Sequence, residues 1–429
     1  MKKIFLLSPA LLALTACDAE KVPITGTRVA VVNYTSSIKV DAETQGKSVD
    51  LPVGDKNGTW TQVGGEADHK MTNPPFQSSL TPVWTSSLGS GNGAGRLLST
   101  PVVGEGVMYG LDTEGTVTAL QTATGERVWQ TNITPGDEDS TIIGGGVAYG
   151  DGKVFVTSPH AEVLALDGKT GDVLWRFKTQ SPVRAAPTLA DGRLYILGIS
   201  NQLDVLNAET GVLLWNHAGI TEHAGLLGTA NPAVAKDIVV VTYSSGEVYA
   251  LKAHNGQQLW TETLSATRRP DSLSSLSHIK ALPVIAENTV IIIGHNHKMA
   301  GYDIIRGERL WERHIGGTRT PAVIGDYIFM VNAHNELVCL TRQYGQVMWV
   351  KPLGGDPERP NKVMWTGPLL AGGKLYLVSA YGALLVLDPA NGATLTSHQF
   401  SVPFSLPPII AGGVMYLLSD TGEVVALGQ

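Results

Sequence analysis

The chain has 429 residues, a formal net charge of −7 and only two cysteines, which excludes a disulfide framework and a cysteine-based zinc site. An acidic chain without basic runs argues against nucleic acid as a partner. Hydrophobic residues at 43% against charged residues at 16% exclude disorder, and 49 glycines beside 7 phenylalanines suit many short strands joined by tight turns. The length fits two or three average domains or one large all-β domain.

The N-terminus reads as an export signal. Met1-Lys2-Lys3 is a short cationic start, Ile4 to Leu14 is apolar but too short to span a bilayer, and Leu14-Thr15-Ala16-Cys17 follows at once. The last four residues resemble the lipobox of bacterial lipoproteins, in which the Cys takes a diacylglycerol and becomes the mature N-terminus. Residues 1–16 are therefore predicted to be a signal peptide and Cys17 the lipidated residue. Residues 17–80 form an N-terminal extension, in which Arg28-Val-Ala-Val-Val-Asn-Tyr34 could add a strand and Trp60-Thr-Gln-Val-Gly-Gly65 to His69 is expected to pack on the main domain. Extended, this length carries the domain away from the lipid by up to ~3.3 Å per residue.

Internal repetition dominates the remainder. A Gly followed four residues later by Trp recurs at Gly125–Trp129, Gly171–Trp175, Gly211–Trp215, Gly256–Trp260, Gly307–Trp311 and Gly345–Trp349; Gly392 continues the series with Thr396 in the Trp place. Trp84 precedes the series without its Gly. The Trp intervals, 38 to 51 residues, match four-stranded propeller blades. Each period parses into an inner strand often opening with Pro (Pro101, Pro187, Pro283, Pro321), a second strand, a third strand with a small residue at a fixed place, a Gly turn and the outer Trp strand. Eight second and eight third strands can be read, but only seven outer strands follow them. Thr81-Pro-Val-Trp84 supplies the eighth, so an N-terminal strand closes the ring and removes its exposed edge. The predicted fold is all-β, an eight-bladed β-propeller over residues 81–429.

The outer-strand tryptophans, Trp84, Trp129, Trp175, Trp215, Trp260, Trp311 and Trp349, are expected to dock on the neighbouring blade, each with its indole N–H on a carbonyl. The Gly four residues earlier permits a tight turn and close approach. Cys339 takes the small-residue place held elsewhere by Ala, which marks it as buried packing and not a nucleophile.

The stretch Ala165-Leu-Asp167-Gly-Lys-Thr-Gly171-Asp-Val-Leu-Trp175 resembles the tryptophan-docking repeat of the pyrroloquinoline-quinone-type propeller superfamily, and the likeness covers about residues 81–429. That superfamily holds quinoprotein alcohol dehydrogenases and the non-enzymatic BamB family of outer-membrane assembly lipoproteins. The dehydrogenases set a quinone against a disulfide of adjacent cysteines. With Cys17 committed to lipid and Cys339 alone, that disulfide cannot form. Lipobox, short extension and eight blades with little between them resemble the BamB family, and Trp60-Thr-Gln-Val-Gly-Gly65 and Pro182-Val-Arg-Ala-Ala-Pro187 look like its alphaproteobacterial version. The resemblance implies a scaffold without cofactor or catalysis, a monomer within a hetero-complex, bound to the POTRA repeats of the barrel protein BamA beside other Bam lipoproteins. It also implies an outer-membrane, periplasm-facing location. Asp18 after the lipidated Cys leaves inner-membrane retention open. A quinoprotein-like enzyme and an inner-membrane propeller of unknown partner remain the alternatives.

Loop lengths point to the working face. Third-to-outer turns are uniformly short, whereas outer-to-inner connections vary, Thr261 to Ala281 being the longest. Cations precede the inner strands there: Arg184, Lys280 and Arg319, with Arg268 and Arg269 in the long loop, a local cluster suited to an acidic or backbone-presenting partner. The family resemblance implies a BamA contact near Arg184, and places His278 and Lys280 where the family carries two Asp. His295-Asn-His297 lacks a third ligand at recognisable spacing for a metal site, and Asp137-Glu138-Asp139 reads as a solvated loop rather than a calcium site.

Overall fold

The computed structural model describes residues 38–54, 57–91, 98–136, 144–221, 230–264, 278–295, 298–354 and 365–428. The signal segment, Cys17, the 28–34 stretch, Asp137–Asp139, Arg268, Arg269 and His297 lie outside the described residues. No helix among those described is long and apolar enough to cross a membrane.

Thirty-two strands form eight separate four-stranded antiparallel sheets, the predicted eight-bladed propeller. In the first blade the strands are Val102–Gly104, Val107–Leu111, Thr116–Gln121 and Arg127–Asn132, running from the central channel outward. In the last, Ile409–Ala411, Val414–Leu418 and Glu423–Leu427 are completed by Pro82–Ser87, with Trp84 paired to Ala426. The strand that precedes the first blade and the C-terminal strand thus share one sheet.

Cross-strand register explains the small residue of the repeat. Tyr109, Ala119 and Trp129 stand in one row across the first blade, as do Phe155, Ala165 and Trp175 in the second and Phe329, Cys339 and Trp349 in the sixth. The small central side chain lets the rings on either side meet over it, at centroid distances of 5.8, 6.1 and 5.9 Å. Cys339 is fully buried in such a row, and burial pushes its thiol well above the ordinary range.

Each of the seven outer-strand indoles then reaches the next blade. Trp84 donates its N–H to the Thr122 carbonyl, Trp129 to Gly168, Trp175 to Ala208, Trp215 to Ala253, Trp260 to Ile304, Trp311 to Arg342 and Trp349 to Pro389, at 2.8–3.2 Å. All seven acceptors lie in third-to-outer turns. The glycine of each receiving turn is the glycine of the repeat, so the Gly–Trp spacing joins two different seams: the Gly accepts the preceding blade's indole while its own Trp docks onward. Thr396 breaks the series for a geometric reason. The eighth blade takes its outer strand from the N-terminus, so it has no third-to-outer turn on which an indole could dock.

The extension does more than lean on the ring. Its 57–74 segment runs once around the channel and bonds to the inner region of every blade in turn. Gly412 donates to Asn57, Trp60 and Val103 exchange both backbone bonds, Tyr149 donates to Thr61, and the Gln62 amide pairs with the Leu189 backbone. Val234 then donates to Ala67, Ile285 to Asp68, Met71 to Val323 and Gly372 to Pro74. These bonds satisfy inner-strand groups that would otherwise line an open channel. Upstream, Asp41 and Thr44 bond to Val347 on the outer strand of the sixth blade. Downstream, Phe76 packs edge-on against Tyr376 before the chain enters Pro82–Ser87.

Candidate functional site

The inner strands are short, and the residues just before each of them converge at one end of the channel. Here a funnel of about 460 Å³ opens. Its walls come from all eight blades, including Leu98, Gly145, Arg184, Asn231, Lys280, Arg319, Thr366 and Leu406. Its floor is the circling segment, through Trp60, Val63, Gly64, His69 and Met71. Buried side chains of that segment cross the channel, the Trp60 ring beside Gly65 and the His69 ring beside Gly64, so the funnel is blind.

Arg184, Lys280 and Arg319, three of the cations singled out from sequence, line this one cavity, and each is half-buried rather than spread over a solvated rim. Among the described lining residues there is no Asp or Glu. The Nε atoms of Arg184 and Arg319 are buried without a hydrogen-bond partner, as is Nδ2 of Asn231. Arg319 donates through Nη1 to the Ser405 carbonyl at 3.3 Å. The carboxylate that acts on it, Asp420, also accepts from the Ser405 backbone N–H and hydroxyl. Burial first, and then the Arg319 charge, pull the Lys280 pKa down.

His278 is placed differently. It is buried behind Lys280 and not part of the funnel lining, so it offers no direct contact to a partner. Burial, Lys280 and His295 together lower its pKa to about 4, leaving it neutral at physiological pH. His295 is likewise depressed by burial and Lys280. An imidazole facing a lysine is poorly placed to hold a metal cation. The sequence placed Trp60 to His69 on the main domain but gave no sign that this segment floors the funnel: His69, fully buried with Nδ1 2.8 Å from the Pro283 carbonyl, carries no motif. The Gly64-Gly65 pair, both at positive φ, was the one local sign that the segment must turn sharply there.

Two observations bear on relationship: the Trp–Gly seams and the match to known families. The model of the family described as "Outer membrane protein assembly factor BamB" matches residues 113–351 and 358–429. The chain belongs to the BamB family. Among BamB relatives, the Outer membrane protein assembly factor BamB of Yersinia pestis is 27% identical over 301 residues, covering 69% of this chain and 77% of that protein. A Rickettsia conorii protein is 26% identical over 314 residues, 71% of this chain and 76% of that one, in keeping with an alphaproteobacterial type of BamB. The crystal structure of BamB from Moraxella catarrhalis superposes with a TM-score of 0.69 at 18% identity, covering 81% of this chain and 99% of that one. The quinohemoprotein alcohol dehydrogenase of Comamonas testosteroni superposes at 0.67 with 14% identity, covering 89% of this chain and 83% of that one, a likeness of fold alone.

Proposed function

We propose that this protein is a non-enzymatic scaffold of the outer-membrane β-barrel assembly machinery. In this reading it is held to the periplasmic side of the membrane by lipid on Cys17, and engages the POTRA repeats of a BamA-type partner through the funnel mouth. The observation that carries the reading is the gathering of Arg184, Lys280 and Arg319 at a single opening whose described lining residues include no carboxylate, in a chain of the BamB family. A cluster of cationic groups at an opening favours an acidic or carbonyl-rich partner and speeds its encounter.

Capture of membrane partners by tagged protein tests this. Arg184→Glu is expected to weaken recovery of the BamA-type protein sharply, since reversing a partly desolvated interfacial charge costs ~2–5 kcal/mol. It should not lower the melting temperature, because the new carboxylate would share the cavity with Lys280 and Arg319. Lys280→Glu should weaken capture as well. Stronger capture by Lys280→Glu would reverse the assigned polarity, and unchanged capture by both would move the interface off this face.

Anchoring has its own test. Cys17→Ser is expected to release a folded protein from membranes, since acyl chains contribute ~0.8 kcal/mol per buried methylene. A variant that still sediments with membranes would place the anchor elsewhere.

A further inference from the structure

The blind funnel has a consequence for what can enter it. The channel of an eight-bladed ring could pass an extended chain, but here the segment from Asn57 to Pro74 bonds to all eight blades and closes one end. A ligand must enter and leave by the same mouth. That geometry admits a chain end or a projecting side chain and refuses a threaded strand.

The chemistry of the walls is equally selective. Arg184, Lys280 and Arg319 present positive charge, and the guanidinium Nε atoms of both arginines, with Nδ2 of Asn231, are buried donors without an acceptor. These atoms lie beneath the funnel surface, so an entering ligand meets the charge of the guanidinium and ammonium groups, which an ionised acceptor complements best. Between the cations the walls are mixed, with apolar surface from Leu98, Leu282, Pro321, Leu406 and Pro407 beside hydroxyls such as Thr320 and Ser405. The volume is that of a small-ligand cleft, too small for a folded domain. We propose that the funnel is a socket for a polypeptide carboxylate carried beside an apolar side chain, the chain's C-terminal residue or an acidic residue in an apolar context. This deepens the proposed function and rests on the mouth being the face that meets protein.

The test uses the purified full-length chain in detergent and three fluorescent peptides: one ending in Ala-Ala-Leu with a free carboxylate, the same peptide amidated, and an amidated Leu-Glu-Leu peptide. Saturable binding of the first or the third is expected, with the amidated Ala-Ala-Leu peptide at least about tenfold weaker. Preference for the first assigns a chain terminus, and preference for the third an acidic side chain; either supports the socket. Lys280→Gln and Arg184→Gln should each weaken the better peptide by about tenfold or more while leaving the melting temperature in place. Equal binding of the amidated Ala-Ala-Leu peptide, indifference to both substitutions, or displacement by inorganic phosphate as effectively as by unlabelled peptide would overturn the proposal. If no peptide binds but the BamA-type partner is still captured through this mouth, the socket falls and the scaffold reading stands. Peptide binding without partner capture would give the reverse.

Discussion

Acidification from pH 6.5 to about 4 is expected to remove on the order of 3 kcal/mol of folding stability through His69 alone. His69 is fully buried in the funnel floor, and burial lowers its pKa to about 4 despite the Pro283 carbonyl, which acts to raise it. With Nδ1–H donated to that carbonyl, an added proton would have to sit on Nε2, which is buried without a partner. A folded-state pKa below the unfolded one means that the unfolded chain takes the proton first. The contribution is complete above about pH 6.5 and is lost as pH falls toward 4. His278, also lowered to about 4, acts in the same direction. Glu66 and Asp68, raised by burial, act oppositely. The clean measurement is therefore the difference between the native chain and His69→Gln in denaturant titrations across this range. Parallel pH profiles for the two would contradict a neutral, buried His69.

Trp260→Ala is expected to cost roughly 3–5 kcal/mol, the range for emptying a large aromatic site. Trp260 is 8% exposed, stacks at 6.1 Å with Tyr302 of the next blade and donates to the Ile304 carbonyl of that blade at 2.8 Å, so one substitution removes two contacts across the seam. Trp175, partly exposed and with a 3.2 Å bond, should lose less. Gly307→Ala tests the receiving side of the Trp260 seam. Gly307 has φ +71°, and a Cβ there would lie 2.6 Å from Cγ of Trp260. That substitution combines left-handed backbone strain of ~1–2 kcal/mol with displacement of the indole. In a double-mutant cycle the two costs should fall short of additive by 0.5 kcal/mol or more, roughly the coupling of contacting residues. Additive losses would show that the glycine serves its own turn only.

The ring was legible because its physics repeats. A Gly turn and an indole recur once per blade since each seam needs the same close approach, and eight inner-facing strand patterns leave no other way to bury both sheet faces. The closing strand at Trp84 could be inferred by counting, because one outer strand was missing. Even the Thr396 exception follows once the closing strand is known, since a blade completed from the N-terminus has no turn to receive an indole. The funnel was only partly legible. Pro-preceded inner strands placed Arg184, Lys280 and Arg319 near the mouth, but His278, two residues from Lys280, turns into the protein instead. Sequence spacing does not say which side of an irregular connection a side chain takes.

What the sequence determined by itself was everything carried by local periodicity: strand class, blade number, the seams and their order. Tertiary structure alone decided the blind channel. The segment from Asn57 to Pro74 makes its hydrogen bonds to the blades with residues tens to hundreds of positions away, from Val103 to Gly412, and it has no period of its own. Its conformation is set by the unpaired inner-strand groups it meets, which exist only after the eight blades have closed. The charge of the funnel has the same origin. Each cation is an isolated residue in a different connection, and only the ring brings all three to one opening from which carboxylates are absent among the described residues.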